Sequence, residues 1–216
     1  MSATGVIPVV PGILVVLLAY GLLFGGVELL RRRWGVGAET TRRLVHVLGT
    51  LLALPLPIVL GVPVGVVMAI GLAGLLALSR RRGTLGSVHD VERTTIGEVV
   101  FPLGIALAAV VAQDYAQYCF GVLVLGFADA AAGSIGTRVG RPLRRWPARK
   151  SVAGSTAFFV VTVGIGAAFL VALGVEPALL LVPSALVVTL VEALLARGWD
   201  NLAVPSAAVL AFAWMF

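Results

Sequence analysis

Cysteine, lysine and histidine are almost missing from this chain: one, one and two copies among 216 residues. The lone Cys119 excludes an intramolecular disulfide and reads as a small apolar core residue. So few His and Cys residues exclude a zinc-type His/Cys cluster. Charge is scarce as well, at 12% of residues against about 25% in a typical soluble domain. The apolar runs lack period-two alternation, which favours helices over an outer-membrane barrel. No GxxxxGK[ST] phosphate loop, kinase-type Gly-rich loop or GxSxG elbow is found. Met1 to Pro11 carries no basic residue, and the apolar stretch after it is too long for a secretory signal. The first span is therefore expected to stay in the mature protein.

What is present is mostly oil. The chain is 60% hydrophobic with a mean hydropathy of +1.08. One soluble core cannot hide that much apolar surface, so the expectation is an all-α, polytopic integral membrane protein. Apolar runs and breakers place about eight spans, seven at the fewest, near 6–30, 44–60, 62–79, 96–112, 118–136, 151–173, 178–196 and 202–216. The last is short for a bilayer of about 30 Å. No repeat or linker divides the chain, so 1–216 is read as one domain.

The cations fix the orientation. Fifteen arginines and Lys150 fall at 31–43, 80–95, 137–150 and 197–201, between alternate spans. The opposite loops hold no Lys or Arg. The positive-inside rule makes the basic side cytoplasmic and puts both termini on the other side. In a soluble chain a net charge of +6 would suggest nucleic acid, but here topology accounts for it, and no nucleic-acid partner is expected.

Asp129 stands inside span five, nine residues before Arg138. An ionisable residue in a span costs about 2.5–3.5 kcal/mol on insertion scales, so it points to function. Ala132, Gly133 and Gly136 share its helix face, leaving room for a ligand beside a carboxylate. Gly136 and Gly140 also form a GxxxG, so close helix packing is the alternative for the glycines. Lys150 and Ser151 open span six, where a helix N-terminus suits phosphate, and Ser151 also serves as a cap. Thr95 and Glu98 fit a capping box, with a metal or substrate carboxylate as the other reading of Glu98. Glu39, Arg43 and His46 share a helix face at the start of span two. His89, in a polar loop, carries little signal. Asp200 and Asn201 are good N-cap residues for the last span.

Together these segments resemble one family, the CTP-dependent lipid-alcohol kinases. This is the dolichol kinase, phytol kinase and yeast-type diacylglycerol kinase group, related to the phosphatidate cytidylyltransferases. The elements are Glu39–Arg42–Arg43–His46, Arg93–Gly97–Glu98, Asp129–Ala132–Gly136, Lys150–Ser151–Gly154–Ser155, and Glu192 followed by Asp200–Asn201–Pro205. Their order and spacing hold over residues 39–205, most of the chain. Ala128 replaces the usual glycine before the aspartate. The length is similar to that of the compact phytol kinase type.

The resemblance implies a kinase moving the γ-phosphate of CTP to a phytol-, geranylgeraniol- or polyprenol-like alcohol, or to diacylglycerol. It implies Mg²⁺ held by Asp129 with Glu98 or Asp200, and phosphates clamped by Lys150, Arg149 and Arg138. Gly133 and Gly136 would admit the phosphates, Ser151 and Ser155 would donate to them, and Asn201 would orient a phosphate or the nucleotide. Asp129, Lys150, Glu98 and His46 form the implied catalytic set. Glu39, Arg43, His46 and Glu192 are assigned to the substrate, with His46, Glu39 and Asp200 as candidate bases. The lipid tail is expected to pass sideways between spans, with its hydroxyl at the cytoplasmic boundary of a cell-membrane protein. A homo-oligomer is allowed for. Two rival readings stay open: a cytidylyltransferase making a CDP-lipid, and a transporter using Asp129 as its coupling site.

Overall fold

Eight apolar stretches each become helix in the computed structural model, which describes residues 5–90, 95–140, 150–176 and 179–215. The described residues are helical throughout their ordered elements, with no strand. The helices are α1 (Val9–Trp34), α2 (Ala38–Ala53), α3 (Leu56–Val59), α4 (Val62–Arg81), α5 (Gly86–His89) and α6 (Gly97–Val111). After them come α7 (Tyr115–Leu123), a π-helical turn (Val124–Ala128), α8 (Asp129–Arg138), α9 (Val152–Ala172), α10 (Leu181–Leu194) and α11 (Asp200–Ala213).

Five stretches are long and apolar enough to cross a membrane: Val9–Trp34, Ala38–Val59, Val62–Arg81, Tyr115–Arg138 and Val152–Ala172. The other three, α6, α10 and α11, have 15, 14 and 14 residues. At 1.5 Å per residue they are about 21–23 Å long, shorter than a hydrocarbon core of about 30 Å. The sequence expected only the last span to be short.

The segment expected as the loop 31–43 is mostly helix. Helix α1 runs to Trp34 and α2 begins at Ala38, leaving three residues between them. Gly35 closes α1 in the left-handed conformation (φ 64°), and its N–H returns to the Arg31 carbonyl at 2.9 Å.

Helix α11 lies at the centre and packs on α6, α7, α10 and the π turn. Small residues make this possible. A Cβ at Gly104 would strike the Asn201 carbonyl, and one at Gly121 would lie 2.6 Å from the Pro205 carbonyl. Around this seam Phe120, Phe158, Val188, Val204 and Phe212 are buried. The Phe120 and Phe212 rings stand 5.0 Å apart, with Phe169 edge-on to both. Leu14, Leu18 and Leu22 of α1, Val67 and Leu75 of α4, and Val160 and Val171 of α9 point outward and are exposed. Apolar side chains on both surface and core mark a helical protein suited to lipid.

Candidate active site

Asp129 owes its setting to the turn before it. The chain runs from α7 through the wide turn Val124–Ala128 and re-enters α-helix at Asp129. Gly126 lies so close to Thr50 of α2 that a Cβ would meet its side chain at 2.5–2.6 Å. This tight crossing brings the ring of His46, one turn earlier on α2, to the Leu125 carbonyl at 3.0 Å. A carbonyl only accepts, so Nε2 is assigned the proton and donates it. The same nitrogen lies 3.5 Å from Asp129 Oδ2. Phe101 packs on the His46 ring at 4.4 Å between centroids.

Two further carboxylates meet Asp129. Glu192 comes from α10 and Asp200 opens α11, and ligand oxygens of the three lie within 4.8 Å of one another. Lys150 reaches in from the start of α9. Its Nζ donates to Glu192 Oε1 at 2.6 Å, to Asp200 Oδ2 at 3.0 Å, and to the Glu192 carbonyl. Burial works against the lysine charge, but the carboxylates of Asp200 and Glu192 outweigh it and hold Lys150 above the ordinary lysine value. One ammonium among three carboxylates leaves an excess of negative charge.

Such a donor set suits a hard divalent cation. Mg²⁺ at about 2.1 Å from each oxygen places neighbouring oxygens about 3 Å apart and opposite ones about 4.2 Å. Asp129, Glu192 and Asp200 are the residues that fit this role.

The space beside them is a cavity of about 390 Å³. It is lined by Arg42, Arg43 and His46 of α2, by the Asp129–Gly136 face of α8, and by Lys150, Ser151, Gly154, Ser155, Glu192 and Asp200. Arg43 bridges α2 to the end of α8. Its guanidinium donates to the Gly133 carbonyl (3.0 Å) and Thr137 Oγ1 (3.2 Å), and it pairs with Glu39 at 3.3 Å. Arg42 makes a forked pair with Glu39 at 3.1 and 3.3 Å. The cavity is thus acidic at one wall and basic at the other.

The expected residues divide. Asp129, His46, Arg43, Gly133, Gly136, Lys150, Ser151, Ser155, Glu192 and Asp200 all line the one cavity. Glu192, expected to face substrate, belongs to the carboxylate cluster. Ser155 Oγ lies 3.5 Å from it. Ser151 caps α9 by accepting the Gly154 N–H at 3.1 Å. Glu39 stands behind Arg42 and Arg43 and positions them.

Several expectations are placed differently. Glu98 does not join Asp129: its Oε1 takes Arg80 at 2.7 Å and His89 at 3.2 Å. Nor does it close a capping box; Thr95 Oγ1 alone accepts the Gly97 N–H. Asn201 does not face the cavity. It is buried and donates to the Gly97 carbonyl at 2.8 Å, tying α11 to α6. Asp200 is a helical residue whose Oδ1 accepts the Asn201 N–H, and Trp199 precedes it as the cap position. Gly136 packs against Ser151 and Gly154 of α9, so helix packing explains its lack of a side chain. Arg138 is exposed and outside the cavity lining. Arg149 and Arg93 lie outside the described residues.

Sequence reasoning passed over two lining groups, Arg42 as a site residue and Thr137. The 3–4 spacing from Glu39 on one helix carried the signal for Arg42; nothing marked Thr137. Compared with protein-family models, curated proteins and solved structures, the chain matches none.

Proposed function

We propose that this chain is a membrane-embedded, CTP-dependent lipid-alcohol kinase. One observation carries the reading: residues from four separate sequence elements meet in one cavity. Arg43 and His46, Asp129, Lys150, and the late Glu192–Asp200 pair are up to 157 positions apart, from 43 to 200. Chance packing of apolar helices does not gather three carboxylates, a lysine, a histidine and two arginines against open space.

In this reading all eight helical stretches sit in the membrane, the basic ends face the cytoplasm, and the cavity opens on that side. Phosphoryl transfer asks the protein for position and charge neutralisation more than covalent chemistry. Arg42 and Arg43 face the triphosphate. Lys150, protonated at neutral pH, follows the γ-phosphate oxygens as charge shifts onto them. Asp129, Glu192 and Asp200 would hold a Mg²⁺ ion, which would supply neutralisation of the phosphate charge. The alcohol oxygen forms a bond to the γ-phosphorus, and the bridging bond to the β-phosphate breaks, releasing CDP. The hydroxyl proton leaves to a carboxylate or water. His46, tied to the Leu125 carbonyl, stands 3.5 Å from the Asp129 carboxylate and bounds the space in which it can turn.

The test is a transfer assay with purified protein, γ-labelled CTP, Mg²⁺ and a panel of phytol, geranylgeraniol, a polyprenol and diacylglycerol. Label in a lipid monophosphate, lost in Asp129→Asn, is expected. CDP-lipid formed from phosphatidate and α-labelled CTP would move the assignment to a cytidylyltransferase. No turnover in either assay by folded protein would favour a transporter.

A further inference from the structure

All the donors of Lys150 are spent. An ammonium carries three N–H groups. Nζ gives one to Glu192 Oε1 at 2.6 Å, one to Asp200 Oδ2 at 3.0 Å and one to the Glu192 carbonyl. The side chain is 14% exposed and lines the polar cavity. A phosphate oxygen entering that cavity meets the charge of the lysine but finds no donor open to it. Lys150 reaches a phosphate only by letting a carboxylate go.

Glu192 and Asp200 are also two of the three carboxylates whose oxygens lie within 4.8 Å of one another. The third, Asp129, is not among the partners of Lys150; it stands 3.5 Å from His46. A divalent cation shared by all three would draw on the same two carboxylates that hold the ammonium. Two cations on one pair of carboxylates repel each other, and the doubly charged one attracts the pair more strongly. Lysine is a point charge on a flexible four-carbon stem, so Nζ can leave by side-chain rotation while α9, α10 and α11 stay in place.

We propose that Lys150 is an exchangeable counter-ion: it holds Glu192 and Asp200 until a divalent cation takes them, and its freed N–H groups then turn to the phosphate oxygens in the cavity. The inference rests on the reading of the cavity as a cation and phosphate site, and it adds an order of events. The cation comes before the phosphates, or with them, because phosphates alone meet a lysine already engaged. The same side chain thus keeps the carboxylates neutralised at one stage and serves the nucleotide at the next.

Lys150 is the one lysine of the chain, so it can report on itself. Purified protein in detergent is acylated with an amine-reactive ester, and modification of Lys150 is read by mass spectrometry against the N-terminal amine. Mg²⁺ is expected to raise the Lys150 rate about fivefold or more, the lower end of ordinary coupling between two binding events. Pyrophosphate added with Mg²⁺ in excess should bring the rate back to within about twofold of its start, as phosphate covers the amine. Sodium chloride at matched ionic strength should leave the rate unchanged, which separates exchange from screening. Asp129→Asn, which removes the carboxylate that Lys150 does not touch, should lose the Mg²⁺ response.

A rate unmoved or lowered by Mg²⁺ overturns the proposal, because the lysine then keeps its carboxylates. An equal rise in sodium chloride, or a rise that pyrophosphate leaves in place, overturns it too. The CTP transfer assay run beside it separates the two readings. A lysine released by Mg²⁺ and covered by pyrophosphate, without transfer to any alcohol, keeps the exchange and removes the kinase; transfer with an unmoved lysine does the reverse.

Discussion

Two acid clusters lie near the basic ends of the helices, and they differ in charge balance and in space. Around Glu98, one carboxylate meets Arg80 and a His89 ring that also contacts Ser79 Oγ at 2.6 Å. Acid and base match there, and the free volume beside them is about 30 Å³. Around Asp129, three carboxylates face one lysine beside about 390 Å³. Matched charge without room is what a fold uses to hold loops to helices. Unmatched charge with room is what a fold keeps for a ligand.

Substitutions can break this contrast. Asp129→Asn should lower transfer about 10³-fold, the scale of losing a principal electrostatic group, with little change in melting temperature. Turnover and thermal unfolding in detergent measure both, and a large drop in melting temperature would make Asp129 structural.

Lys150→Met should do two things at once. Transfer should fall about 10²-fold, and stability about 3 kcal/mol, because Glu192 and Asp200 lose the cation between them. The pH dependence follows from its raised pKa. Lys150 stays protonated below its ordinary value, so its ion pairs contribute fully at pH 7–9. That contribution is lost only as pH rises through the raised value. A stability difference between wild type and Lys150→Met that disappears below pH 9 would contradict this.

Glu98→Gln should reverse the Asp129 pattern. Loss of its charge-assisted bonds to Arg80 and His89 should cost about 2 kcal/mol, while KM for CTP stays within twofold. A changed KM for CTP would place Glu98 in the nucleotide site after all.

The smallest effect is expected at Arg197. This residue has φ 60° in the turn before Asp200, where its carbonyl accepts the Ile96 N–H at 2.9 Å. A side chain there costs about 1 kcal/mol, so Arg197→Gly should stabilise the protein by roughly that amount, with activity unchanged. Chemical or thermal unfolding checks it.

The eight apolar stretches were legible as helices because each is an apolar run bounded by breakers, though only five are long enough to cross a membrane. Their ends were less so: Arg31 to Trp34 and Ala38 to Arg43 are helical despite their polarity, since helices continue past the oil. Asp129 and Lys150 stood out as a charge inside a span and as the one lysine. Their meeting with Glu192 and Asp200 is a tertiary fact that no local spacing encodes. The same holds for His89. Its sequence surroundings are a polar loop, and only the return of α6 beside α4 supplies Glu98. Gly136 carries both readings offered for it, since it lines the cavity and also packs on Ser151 and Gly154.

The wide turn at Val124–Ala128 makes the site a matter of counting. A π turn spends one more residue than an α turn, and each residue rotates a helix by about 100°. Removing one residue from 124–128 would let α7 and α8 run on as one regular helix. Every side chain of the cavity would still be present, yet Asp129 would face about a quarter-turn away from His46. The difference between a working and a silent copy of this protein is then a single codon, with composition, hydropathy and span count unchanged.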